Sequence, residues 1–156
     1  MIDEVLLEKT KKMTGAFFTG GVAEELIEKL SEDLEVELPK SYKEFLRKFG
    51  EGGLSGTYTF GIENEDYSSA KEKTKKFRKE LNISNKHIVV AKIRTEDEEY
   101  ILCLDTANLS NGECPVIKYD MLNKNETKIQ NNFADYFNSV TEREYQEELS
   151  YQNDKQ

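Results

Sequence analysis

The sequence predicts an α+β fold, a mainly antiparallel, twisted β-sheet flanked by α-helices, and three observations carry that reading. Apolar residues recur at helical spacing in separate stretches as far as Leu81. From His87 onward the pattern changes to short β-rich runs divided by polar turns. Between these regimes, residues 34–62 start a helix, stop it at a glycine cluster and pass into a strand.

Taken in order, Ile2, Val5 and Leu6 suggest a short amphipathic helix that Met13 extends before Thr14 and Gly15 break it. Ala16-Phe17-Phe18 is a brief apolar piece. Thr19-Gly20-Gly21 then leads into a helix with Val22, Leu26, Ile27, Leu30 and Leu34 on one face. Pro39, with its fixed φ and missing N–H, suits the first turn of the next helix, and Ser41 with Glu44 offers a competing capping box. Tyr42, Phe45, Leu46 and Phe49 form its apolar stripe, opposite Lys40, Lys43, Arg47 and Lys48. Gly50 is placed to cap that helix in the left-handed conformation, and Gly52 and Gly53 extend the turn into the strand Thr57-Tyr58-Thr59-Phe60.

The third helix is predicted over 66–81, with Asp66 at its start and Tyr67, Ala70, Thr74, Phe77 and Leu81 inward. Its other face carries Lys71, Lys73, Lys75, Lys76, Arg78 and Lys79, read as a solvated face because no aromatics are interleaved for base stacking. Strands are expected at 88–93, 100–104 and 116–119 in one sheet, with the acidic run 95–99 at a hairpin tip, a turn at 108–113 and a short edge strand at 127–129. A helix over 132–140 buries Phe133, Tyr136, Phe137 and Val140, and Thr141 caps a further segment. The domain is expected to span 1–150, with 151–156 a frayed tail.

The 156 residues fit one domain with one core. A net charge of −9 repels phosphate backbones and anionic lipid, which disfavours direct nucleic-acid or membrane binding and steers the chain toward a basic protein partner. No signal-peptide pattern and no long apolar run occurs, so a cytoplasmic location is expected. Cys103 and Cys114 read as reduced thiols, consistent with that compartment.

Catalytic parts are scarce. His87, the sole histidine, begins a strand and reads as structural rather than as a general base. With Cys103 and Cys114 it would give a metal only three soft ligands, and no zinc-site or P-loop spacing occurs, so no cofactor is expected. Glycines 50, 52 and 53 follow a helix and precede a strand, the reverse of a phosphate loop. The carboxylates at 63, 65 and 66, at 96–99, and at 142, 144, 147 and 148 lack the spacing of a calcium loop. A binding protein is expected, not an enzyme.

The ordered set Leu38-Pro39, Tyr42, Phe45-Leu46 and Gly50-Glu51-Gly52-Gly53 resembles the signature of the SUKH superfamily, the Smi/Knr-like proteins. Glu32 before it, and Ile88-Val89-Val90, 101–106, 112–116 and 133–137 after it, follow in that family's order. The resemblance implies an immunity protein that binds and blocks a cognate toxin domain, often a nuclease; eukaryotic members imply the alternative of a regulatory scaffold. It assigns Glu32, Leu38, Pro39, Tyr42, Phe45, Leu46, Gly50, Gly52 and Gly53 to the fold. Where many relatives place Asn-Gly after the aromatic helix, this chain has Phe49-Gly50-Glu51-Gly52-Gly53. An inhibitor of a basic nuclease must present carboxylates where phosphates would lie. The candidates are Glu63, Glu65 and Asp66, then Glu96, Asp97, Glu98 and Glu99, with Tyr58 and Tyr100 as aromatic anchors. A monomer or weak homodimer is expected.

Overall fold

The computed structural model describes residues 1–12, 15–54 and 56–154. The chain runs α1 (Glu4–Lys11), β1 (Phe17–Phe18), α2 (Glu24–Leu34), α3 (Lys40–Phe49), β2 (Gly52–Leu54), β3 (Thr57–Thr59), α4 (Ser69–Leu81), β4 (His87–Arg94), β5 (Glu99–Asp105), a 3-10 turn (Thr106–Asn108), β6 (Val116–Asp120), β7 (Asn125–Gln130) and α5 (Phe133–Asp154). This is an α+β fold.

All strand pairs are antiparallel, in two sheets ordered β1-β2-β3 and β4-β5-β6-β7, where one sheet was expected. A bulge explains how the two abut. Val89 pairs with Cys103 and Ala91 with Leu102, which leaves Val90 without a partner in the ladder. Its freed carbonyl accepts the Phe60 amide at 2.7 Å, so the residue after β3 stitches the small sheet to the large one.

The α3 stripe behaves as its spacing predicts. Tyr42, Phe45, Leu46 and Phe49 are buried, and the rings of Tyr42, Phe45, Phe49, Phe133 and Phe137 form one cluster with centroids 5.2–6.3 Å apart. Each such pair adds about 1 kcal/mol beyond burial. Pro39 is the N-cap, and Ser41 does not cap. Buried inside the helix, Ser41 donates its hydroxyl to Glu113 Oε1 (2.9 Å) and accepts the Ala134 amide (3.2 Å), tying α3 to the 110–113 turn and to the start of α5.

Several boundaries differ from expectation. Gly50 has positive φ (72°) but ψ −81°, outside the left-handed helical well, and its amide still closes onto Leu46 O. Gly52 and Gly53 are strand, not turn, between β1 and β3. Helix α4 starts three residues later than expected, because Ser68 accepts the Lys71 amide as its N-cap in place of Asp66. Tyr67 therefore lies before the helix and is exposed. Arg78 leaves the basic face to donate to Leu34 O and His87 O. β7 is longer than the edge strand expected.

α5 runs unbroken to Asp154, so the separate capped segment and the tail through 154 form one helix. Thr141 donates to Phe137 O within it, as a mid-helix residue does, instead of capping a new start. Residues 155–156 of the tail lie outside the described residues. Ile2, just before α1, and Leu7 within it face the core while Val5 is exposed, and the extension to Met13 and its break at Thr14 fall outside the described residues.

Candidate partner-binding surface

The small sheet builds one outward face. Phe17 pairs with Gly53, and Gly53 with Tyr58, so the three share a row and a side of the sheet. With no side chain on Gly53, the two aromatic residues flank a bare backbone floor, and both stay exposed. That floor cannot take a methyl group. A Cβ on Gly53 would sit 1.9 Å from Thr57 O, and one on Gly52, whose φ is +133°, 2.2 Å from Phe17 O.

Glu51 lies beneath this face, 2% exposed. One oxygen accepts the Tyr58 hydroxyl, and the other accepts the Ser69 amide (3.3 Å) in the first turn of α4, where the helix dipole favours a carboxylate. Partial burial first, then the hydrogen bond and charge of Glu51, push the Tyr58 phenol up from its ordinary value. The hydroxyl stays protonated and donates. The charge of Glu63 and the Tyr67 phenol add smaller pushes in the same direction.

The acidic loop at 63–67 is held shut by its own backbone. Glu63 and Asn64 donate their amides to Tyr67 O (3.1 and 3.2 Å), and Asn64 Oδ1 accepts the amides of Asp66 and Tyr67 (2.8 and 3.0 Å). Gly61 anchors its base, accepting from the Ser68 hydroxyl and the Ala70 amide. Glu63, Glu65 and Asp66 project into solvent from this preorganised turn. Beside it a cleft of about 90 Å³ is floored by Leu26, Leu30 and Ile62, and the Lys71–Asp33 ion pair (3.0 Å) contributes to its wall.

Of the candidate carboxylates, the structure puts Glu63 near enough to act on Tyr58 electrostatically, while Glu65 and Asp66 share its loop and line the cleft beside α2. It places Glu96–Glu99 on the other sheet, where Glu98 is engaged by Lys118 (2.7 Å) and Glu99 by Lys92 and Arg94 (3.7 and 3.9 Å). Glu99 belongs to β5, and the four-residue tip closes through Thr95 N to Glu98 O. Glu96 and Asp97 are exposed without an ion pair among the described residues. Tyr100 is half-buried under Lys118, 4.3 Å from its ring, so it is a poor free anchor. Phe17, Tyr67 and Glu51 escaped sequence reasoning. The pairing of a lone Phe-Phe with a Gly-Gly was the one signal available for Phe17.

Of the residues assigned to the fold, Leu38, Pro39, Tyr42, Phe45, Leu46 and the three glycines are buried, and the Tyr42 hydroxyl donates to Phe60 O (2.8 Å) at the seam between the sheets. Glu32 is exposed on α2. His87 is buried between carboxylates, Nε2 3.0 Å from Glu126 Oε1 and Nδ1 3.6 Å from Asp105 Oδ1. Burial pushes up the thiols of Cys103 and of Cys114, the latter to about 12, so neither is a ready nucleophile.

A family model, SUKH_5, described as SMI1-KNR4 cell-wall, matches residues 2–142. The chain belongs to the SUKH family. The match takes in every SUKH element from α1 to the first half of α5, including the surface built by β1–β3 and the 63–67 loop. No described helix of this SUKH protein is long and apolar enough to cross a membrane.

Proposed function

We propose that this SUKH protein is a cytoplasmic immunity protein, a non-enzymatic, stoichiometric inhibitor that binds a basic toxin domain, a nuclease first among the candidates, and occludes its active site. The observation that carries the reading is the surface formed by Phe17, Tyr58 and Tyr67 beside Glu63, Glu65 and Asp66. Exposed aromatics anchored on a rigid sheet supply desolvated contact, and a fixed carboxylate turn supplies steering and the mimicry of phosphates. The −9 charge of the chain extends the same attraction to long range.

The test is co-expression with the toxin domain encoded beside its gene, scored by survival, followed by the affinity of the purified pair. Rescue with a Kd of about 1 nM to 1 μM, weakened by Tyr58→Ala with Tyr67→Ala, supports the proposal. A second reading, an interaction module in cell-wall control, draws on the family's cell-wall description. Absence of rescue and of binding would transfer the weight to it.

A further inference from the structure

A second site lies between the large sheet and α5. Ile93, Leu102, Lys118, Ile129, Tyr136 and Arg143 are among the residues that surround a pocket of about 270 Å³, near the lower end of the range for small-ligand sites. Ile93, Leu102 and Ile129 supply apolar lining, and Lys118 and Arg143 supply groups that only donate. Tyr136 is 5% exposed, and its hydroxyl has no hydrogen-bond partner among the described residues. A buried hydroxyl left in that condition is costly, and its partner is either an ordered water or a polar atom of a ligand.

Two cations line the same pocket. Arg143 spends one N–H on Thr57 Oγ1 (3.1 Å) and lies 3.7 Å from Glu144 Oε1. Lys118 donates to Glu98 Oε1 (2.7 Å) and rests over the Tyr100 ring. A guanidinium offers five N–H donors and an ammonium three, so both retain donors beyond these contacts. Arg143 is close enough to the Tyr136 phenol to act on it electrostatically, and so is Tyr100. A donor-rich end and an apolar wall in one pocket define the ligand: an acceptor-only anion joined to a hydrocarbon body.

We infer that this pocket binds a small organic monocarboxylate, with the carboxylate held by Arg143, Lys118 and the Tyr136 hydroxyl and the hydrocarbon part against Ile93, Leu102 and Ile129. The site is separate from the toxin-facing surface, since Thr57 points into the core side of β3 while Tyr58 points out, and it stands whether or not the immunity reading holds.

The test is calorimetric and NMR titration of the full chain with phenylacetate and hexanoate, their amides, acetate, and a short apolar peptide with a free or amidated C-terminus. The expected result is saturable binding of the aromatic or aliphatic carboxylate, with the amide and acetate at least tenfold weaker. Tyr136→Phe should weaken binding about tenfold while keeping the fold, and Arg143→Met by more, these being charge-assisted hydrogen bonds. Binding of the free-ended peptide in preference to the acids would assign the carboxylate to a chain terminus. No binding up to 10-fold above millimolar concentration, equal binding of the amides, or unchanged affinity in Tyr136→Phe with chemical shifts away from α5 would overturn the assignment.

Discussion

Glu51 holds the Tyr58 hydroxyl with one carboxylate oxygen and the Ser69 amide with the other, so a single buried side chain fixes both the aromatic face of the small sheet and the start of α4. Removing it strands two donors. Glu51→Ala should lower unfolding free energy by about 3 kcal/mol, the scale of losing buried charge-assisted hydrogen bonds. Glu51→Gln keeps one acceptor and should cost about 1 kcal/mol. Urea denaturation of the three proteins decides it; a Glu51→Ala protein within about 0.5 kcal/mol of wild type would show the carboxylate to be dispensable.

The glycine pair beneath that face makes a sharper demand. Gly53→Ala drives a methyl group into Thr57 O, and Gly52→Ala adds a positive φ to a clash with Phe17 O. Both obstacles are backbone, which cannot rotate away. Each substitution should cost about 2–4 kcal/mol and loosen β1 from the sheet. Amide hydrogen exchange at the β1–β2 pairing is the direct measurement, and unchanged protection there would contradict the packing described.

Buried acids with raised pKa set the alkaline limit. Burial, with a smaller push from Glu51, raises the Tyr42 phenol, whose hydroxyl donates to Phe60 O, and burial raises the Cys103 and Cys114 thiols. In the unfolded chain thiols lose their protons near about pH 8.5 and phenols near about 10, while the folded groups keep theirs. The unfolded state then binds fewer protons, so stability falls as pH rises. The contribution is whole below about pH 8.5 and declines above it, with a steeper slope beyond about 10. Tm measured from pH 7 to 11 should trace this, and Cys114→Ala should flatten the first part of the decline. A constant Tm across that span would refute it.

Much of this fold was legible because periodicity reports directly on burial. The α3 stripe, the inward Phe133, Tyr136, Phe137 and Val140, and the change to strands at His87 all follow from spacing. What was hidden depends on contacts distant in sequence. Ser41 looks like a cap until Glu113 and Ala134 are seen to claim its hydroxyl. Asp66 and Ser68 are equally good N-caps on paper, and two residues decide whether Tyr67 is core or surface. The seam that joins the two sheets runs through one bulged valine, and a bulge leaves no mark in the residue pattern. His87 meets Glu126 although a flat four-stranded sheet would hold β4 and β7 about 14 Å apart. The curl that closes this distance is a property of the assembled sheet.

The two acidic segments make opposite predictions once their surroundings are known. Glu63, Glu65 and Asp66 stand on a closed turn beside exposed aromatics, whereas at the hairpin tip Glu98 and Glu99 are engaged by Lys118, Lys92 and Arg94. Reversal to lysine in the first group removes steering charge at the proposed contact itself. It should slow association with the basic partner about 10-fold or more at low salt, with the deficit shrinking as ionic strength rises. Glu96→Lys with Asp97→Lys reverses two charges against three at a different place, and should slow association by less than about threefold. Stopped-flow association at two salt concentrations separates local contact from global charge. Equal slowing by both variants would reduce the acidic loop to a contributor of net charge, and a larger effect at the tip would move the binding face to the β4–β5 hairpin.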